Sequence, residues 1–133
     1  MDTAQRTNDF AALAAERDVL LTTFKRDGTA VGTPVWPIVR DGVIYTTTAM
    51  ASGKVKRIRR DGHVTIAACT SRGKVTGPTY AGYARLLSPA ETQEIIIAKQ
   101  KRYRLLNTLV QLINRFRRQG ESVGIAVTAI SSP

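Results

Sequence analysis

Apolar and polar positions alternate in short runs along this chain, and turn signals separate the runs. Val64, Ile66 and Ala68 alternate within His63–Cys69, and Val123, Ile125 and Val127 alternate within Ser122–Ile130. A period of two marks a strand with one buried face. By the same reading, strands are predicted over Asp18–Phe24, Val31–Val39, Val43–Thr48 and Thr79–Leu87, the last with an alternative start at Val75. Asp27-Gly28 and Asp41-Gly42 read as hairpin turns, because both residue types tolerate a positive φ at low cost. Pro34 and Pro37 interrupt the second run. Neither can donate a ladder hydrogen bond, so that strand is expected to carry an edge or a local break, with backbone groups free to meet a ligand.

Three stretches show helical spacing instead. Phe10, Leu13 and Ala14 fit a short amphipathic helix over Asn8–Arg17, capped by Thr7 or Asn8. Ser52–Arg60 reads as a short basic helix ended by Asp61-Gly62, since Gly is favoured just past a helix C-terminus. Ser88-Pro89-Ala90-Glu91 is a helix start: Ser caps, Pro suits the first helical position, and Glu completes a capping box. That helical region is predicted to reach about Gln119 with a break near Asn107, and its second half aligns Leu105, Leu109, Ile113 and Phe116 on one face. The expected fold is therefore mainly β with helices (α+β), one domain over residues 1–133, built on a six-stranded antiparallel barrel whose closure removes exposed edges.

Charge changes the picture. Twenty Lys and Arg stand against ten Asp and Glu, a formal net charge of +10. Such an excess points to an acidic partner: nucleic acid, an anionic membrane surface or an anionic small molecule. No apolar run approaches the ~18–20 residues of a membrane span. The first residues lack a basic stretch followed by an apolar one, and the single cysteine, Cys69, allows no internal disulfide. A cytoplasmic protein without a membrane partner is expected.

The segment Thr46–Arg60 is richest in candidate chemistry. A strand ends in Thr46-Thr47-Thr48, and a helix then starts with Ser52-Gly53-Lys54. Free N–H groups and the helix dipole favour a negative group there by roughly 0.3–2 kcal/mol. Lys54 and Arg57 are three apart and share a helix face, so with Ser52 and Gly53 they are candidates to hold one phosphate. Arg59 and Arg60 fit an ordinary basic helix end. No Walker loop and no dinucleotide fingerprint is present. His63, the only histidine, lies beside a helix stop and reads as structural, and no spaced cluster of metal ligands occurs. In Thr33-Pro34-Val35-Trp36-Pro37 the only tryptophan lies on the interrupted strand, either as an apolar floor for a planar ring or as a core residue. The loop Cys69–Pro78 presents Arg72, Gly73 and Lys74 to an acidic group, or is simply a hairpin end.

In order and spacing, these segments resemble the pyridoxamine 5'-phosphate oxidase-like split-barrel superfamily, and within it the small actinobacterial branch that uses the deazaflavin coenzyme F420. The resemblance is carried by Thr33-Pro34-Val35-Trp36, the threonines 46–48, the basic helix opened by Gly53-Lys54, the loop from Cys69 to Arg72-Gly73, and the strand end Ala84-Arg85-Leu86-Leu87. Gly62-His63 departs from the Pro-Arg usual in that branch and removes one cation. The resemblance implies a homodimer and hydride transfer between reduced deazaflavin and a small organic substrate. It also implies that Ser52, Gly53, Lys54 and Arg57 hold the cofactor phosphate, with Thr33–Trp36 and Thr46–Thr48 bordering the ring and its side chain. The acidic tail of the deazaflavin suits the positive charge, with Arg72, Lys74, Arg102 and Arg104 as candidates to meet it. Tyr45, Tyr80 and Tyr83 are unranked candidates for a proton donor. Alternatives are an FMN-binding oxidoreductase, a cofactor carrier without turnover, and a nucleic-acid-binding module. The last is encouraged by the basic runs Lys54–Arg60, Lys99–Arg104 and Arg115–Arg118, but base stacking needs aromatics among the cations, and only Tyr103 and Phe116 lie within or beside those runs.

Overall fold

The computed structural model describes residues 10–103 and 121–130. Seven strands form one antiparallel sheet: β1 (Val19–Phe24), β2 (Ala30–Val35), β3 (Ile38–Arg40), β4 (Val43–Ala49), β5 (His63–Cys69), β6 (Val75–Leu86) and β7 (Ser122–Ala129). Helix α1 (Gly53–Arg60) joins β4 to β5, and α2 (Pro89–Arg102) follows β6. The strand order is β2-β1-β5-β6-β7-β4-β3. Among the described residues no helix is long and apolar enough to cross a membrane.

The expected six strands become seven because the run Val31–Val39 is two strands. Trp36 and Pro37 break it, and the two pieces sit at opposite edges of the sheet. Two residues span only ~7 Å of extended chain, so the sheet has to roll until its edges meet. The result is a split barrel. The break keeps its carbonyls satisfied: Thr46 Oγ1 donates to the Trp36 carbonyl at 3.0 Å, and the Tyr103 hydroxyl donates to the Pro37 carbonyl at 2.6 Å. Buried acceptors left without partners would each cost ~1–3 kcal/mol.

Alternation fills the barrel as the hydrophobic pattern requires. Val19 and Leu21 of β1, Ile44 of β4, Ile66 of β5 and Ile125 of β7 are fully or almost fully buried in one cluster. Each such side chain contributes ~1.5–3 kcal/mol by leaving water. Phe10 and Leu13 join the cluster from a single 3-10 turn, Ala11–Leu13, which replaces the longer helix expected over Asn8–Arg17. Helix α2 covers the outside of β7, β4 and β3. Its capping box is formed: Glu91 N donates to Ser88 Oγ at 3.1 Å, and Ser88 N donates to Glu91 Oε1 at 3.0 Å. The apolar face expected over Leu105–Phe116 lies outside the described residues, as does Arg104.

Both hairpin turns form as read. Gly28 has φ +88°, and Asp41 and Gly42 have φ 51° and 75° between the paired residues Arg40 and Val43. Gly62 ends α1 for a different reason from the one expected. Its φ is not positive, and the C-cap Asp61 is extended. Glycine is needed there because the backbone of β6 comes too close: a Cβ would stand 2.7 Å from the Ala84 carbonyl oxygen and 2.8 Å from the Tyr83 ring. The Gly62 carbonyl accepts from Ala84 N at 2.7 Å. Gly62→Ala should therefore destabilise the fold by ~1–3 kcal/mol through overpacking. The check is a lowered urea midpoint at unchanged slope, and a midpoint equal to the parent would show that the contact yields freely.

Candidate functional site

The break between β2 and β3 exposes a split. β3 pairs with β4 only over Val43–Tyr45, whereas β4 pairs with β7 from Ile44 through Ala49. From Thr46 to Ala49, β4 therefore has a strand neighbour on one side only. β2 likewise pairs with β1 alone. These two free edges are the lips of the split. Trp36-Pro37 closes one end, where Thr46 meets the Trp36 carbonyl. The start of α1 closes the other, where Thr48 Oγ1 stands 3.5 Å from Ser52 Oγ. Thr33–Trp36 and Thr46–Thr48 thus lie along the lips, and Ser52, Gly53, Lys54 and Arg57 lie at the α1 end.

Strand alternation divides the three threonines. Thr46 is buried on the core side, and Thr48 shares that face. Thr47 points to the α2 side, where Val43 and Tyr45 pack with Leu87, Ile95 and Ala126. Lys99 of α2 donates from Nζ to Thr47 Oγ1 at 3.0 Å.

The α1 end concentrates positive charge. Arg57 folds back along its own helix, and a Cβ on Gly53 would stand 2.7 Å from Arg57 Nη1. Glycine therefore leaves room for the guanidinium beside the first turn. Arg57 Nε donates to Thr23 Oγ1 at 2.6 Å, which ties α1 to β1. Lys54 is half-buried, and burial, followed by the neighbouring Arg57 charge, pulls its amine below the usual lysine value. Ser52 makes no side-chain cap bond, and the first turn of α1 holds no acidic residue. None of the ion pairs among the described residues involves Lys54 or Arg57. Two neighbouring cations without a carboxylate, over the unpaired N–H groups of a helix start, form a donor set that fits one phosphate.

Other expected residues fall elsewhere. Trp36 stacks on Tyr103, with ring centroids 4.9 Å apart, so one face of the indole is taken. Arg72 and Gly73 sit in the β5–β6 turn, where Gly73 has φ +90° and a Cβ there would lie 3.5 Å from Pro34 Cγ. The turn flanks the Trp36 end of β2, away from Lys54 and Arg57. Arg102 is committed to the chain, donating to the Ala14 and Glu16 carbonyls at 2.8 and 2.7 Å. Arg60 bonds the Phe24 carbonyl. His63 is exposed, with Nδ1 2.8 Å from Asp61 Oδ1 and its ring edge-on to Tyr83.

Sequence reasoning counted Lys99 only as the start of a basic run. Thr92, Ile95, Lys99 and Tyr103 follow one another at helical spacing, and Thr92, Ile95 and Tyr103 are buried. A lysine in that series is the signal. Burial alone lowers its amine from 10.5 to about 8.

The family model for pyridoxamine 5'-phosphate oxidase matches residues 8–128. In fold, the chain is similar to the conserved hypothetical protein Rv2991 of Mycobacterium tuberculosis, at 24% identity and TM-score 0.64 over 95% of this chain and 83% of that one. It is similar to an F420 reductase at 16% identity and TM-score 0.64, over 92% and 94% of the two chains. A FAD-binding protein of Mesorhizobium loti shares the fold at 14% identity and TM-score 0.56, over 90% and 85%. The comparison with curated proteins finds no match.

Lys99 makes the stability of the protein depend on pH in a definite direction. Its folded value of about 8 lies below the ordinary 10.5. In that window the unfolded chain binds more protons than the folded one, so the Lys99 contribution rises with pH and is lost as pH falls. Lys99→Met removes the ammonium and keeps most of the chain's bulk. Below pH about 8 the variant should be the more stable by about 3 kcal/mol, and the two proteins should converge towards pH 10.5. Urea titrations across the window check this; a difference independent of pH would mean that the folded amine titrates normally.

Proposed function

This chain belongs to the pyridoxamine 5'-phosphate oxidase family, and on that premise we propose that it is an oxidoreductase that binds the deazaflavin coenzyme F420 along the split. In this reading it transfers hydride between the reduced deazaflavin and a small organic substrate. The observation that carries the reading is the Lys54–Arg57 pair beside the α1 start, two adjacent cations with no ion-pair partner among the described residues. Ser52, Gly53, Lys54 and Arg57 would hold the cofactor phosphate. Thr33, Pro34, Val35 and Trp36 on one lip and Thr46, Thr47 and Thr48 on the other would border the ring and its side chain. With Tyr103 against its indole, Trp36 presents its other face and its backbone.

The bound cofactor supplies the hydride chemistry, so the protein's part is binding, orientation and electrostatics. Lys54 and Arg57 neutralise the phosphate, the open edge of β4 offers backbone donors and acceptors, and the two lips keep water from the faces of the ring. The net charge of +10 favours the deazaflavin, whose tail carries further carboxylates. FMN is the second reading, because its phosphate suits the same donor set. Arg72 and Gly73, at the far end of β2, are the next place for an acidic group. The outer face of the sheet away from α2 carries exposed Val75, Tyr83 and Ile130, and we assign it to a two-fold homodimer.

Fluorescence titration of purified protein with coenzyme F420 and with FMN tests the assignment. Lys54→Ala should weaken F420 binding roughly tenfold to a hundredfold, since a hydrogen bond to an ionised group contributes ~1.5–3 kcal/mol and each ~1.4 kcal/mol is tenfold. Arg57→Ala should act in the same direction. Arg59→Ala serves as control, because its guanidinium only touches the Met50 sulfur at 3.6 Å. Parent-like affinity in both Lys54→Ala and Arg57→Ala would move the phosphate elsewhere, and tighter binding of FMN would reassign the cofactor.

A further inference from the structure

Lys99 lies outside the phosphate site proposed above, and the family resemblance does not account for it. Its amine stands on the opposite face of β4 from Thr48 and Ser52, at the stretch of β4 whose other edge is open. The Thr47 hydroxyl takes one of its three N–H donors. The elements packed beneath α2 bring few charges to it. β3 contributes Arg40 and β4 contributes Tyr45, whereas β7 has no titratable side chain. On α2 itself stand Glu91, Glu94, Lys101 and Arg102, with Tyr103 at its cap. The segment held by Arg102 carries Glu16, Arg17 and Asp18. None of these acts on the Lys99 amine, whose shift has burial as its only cause. Among the described residues it is a partly buried ammonium without an ion-pair partner. Partial desolvation disfavours its charged form, and an opposite charge beside it would favour that form again.

We propose that Lys99, held in place by Thr47, is an oxyanion-binding subsite on the β4 lip of the split, taking a carboxylate or phosphate-type group of the ligand that lies there. Two N–H donors are left for the anion. Adding it would give the amine an opposite charge in place of the water that burial removes, and would raise the amine towards its ordinary value. The amine titrates at about 8, so near neutral pH most molecules carry the charge and the subsite is ready to bind. Lys54 and Arg57, reached from the other face of the same strand end, hold a separate anion. Together the two positions suit a ligand with two acidic groups. The proposal rests on the split being the ligand site, but its first test needs no cofactor.

That test is carbon NMR of the full chain labelled with 13C-lysine, following the Lys99 Cε resonance through a pH titration. It is run alone, with sulfate and with acetate, neither of which titrates in the window. The expected result is a midpoint near 8 that rises by about one unit with either anion, in the parent and equally in Lys54→Ala. The anion affinity read at this resonance should then fall roughly fivefold from one pH unit below the midpoint to one unit above it. A midpoint unmoved by both anions overturns the proposal. A shift that vanishes in Lys54→Ala also overturns it, because the anion would then belong to the α1 site. A second arm uses Lys99→Met with coenzyme F420. A loss of about fivefold or more in affinity places the acidic group on the cofactor, whereas unchanged affinity together with the sulfate shift places it on the substrate. Failure of Lys54→Ala to weaken F420 binding would sink the cofactor reading while leaving the Lys99 shift standing.

Discussion

β2 and β3 stand at opposite edges of the sheet, yet only Trp36 and Pro37 separate them in the chain. Everything else in the architecture depends on that constraint. The sheet cannot lie flat with its edges joined by two residues, so it rolls, and the roll creates an interior that Val19, Leu21, Ile44, Ile66 and Ile125 fill. It cannot close by hydrogen bonds either, because Pro37 has no N–H to offer and the chain turns from one edge to the other at that point. Thr46 and Tyr103 take over the two carbonyls that a continuous ladder would have used. The same hydroxyl of Tyr103 fixes the C-terminal end of α2, and its ring covers Trp36. One local break therefore sets the barrel, the position of the outer helix and the split.

The arginines and lysines of this chain divide the charge between different tasks. Arg57, Arg60 and Arg102 reach hydroxyl or carbonyl oxygens on distant segments and act as cross-links. A planar guanidinium suits that work, since it offers several donors in fixed directions. Lys54 and Lys99 are compact charges with movable donors, and burial lowers both. Lys99 meets β4 at Thr47, and Lys54 stands beside Arg57 at the start of α1. A cation kept partly out of water beside an open strand edge attracts an anion more strongly than one on a solvated surface.

Where backbone sterics or alternation decided the structure, the sequence was readable. The hairpins at Asp27-Gly28 and Asp41-Gly42, the capping box at Ser88 and the runs of β5 and β7 follow local rules, and they form. The two prolines announced a break but not its consequence, because which edges a broken strand joins is a long-range matter. Gly62 shows the same boundary: its position at a helix end was legible, but its reason is the approach of β6. At the site, the order of Thr33–Trp36, Thr46–Thr48 and Ser52–Arg57 was legible as a motif. The division of the threonines between two faces could be inferred from the period of two, but their partners could not. Arg102 looked like a free cation, and only the fold shows that it holds the Ala14–Glu16 segment.

Among the described residues no buried side-chain nitrogen or oxygen lacks a hydrogen-bond partner. What stays open is an unpaired strand edge and charge without a carboxylate: the edge of β4, the adjacent charges of Lys54 and Arg57, and the partly buried amine of Lys99. A neutral side chain at 54 or 99 would remove a partly desolvated charge at no evident cost to the fold, so stability alone argues against both, and local rules broken together at one position mark a place where a sequence is shaped by something other than folding. What relieves all of them at once is a ligand that brings negative charge and backbone partners into the split. In the proposed function such a ligand meets the open edge of β4 and the cations near it.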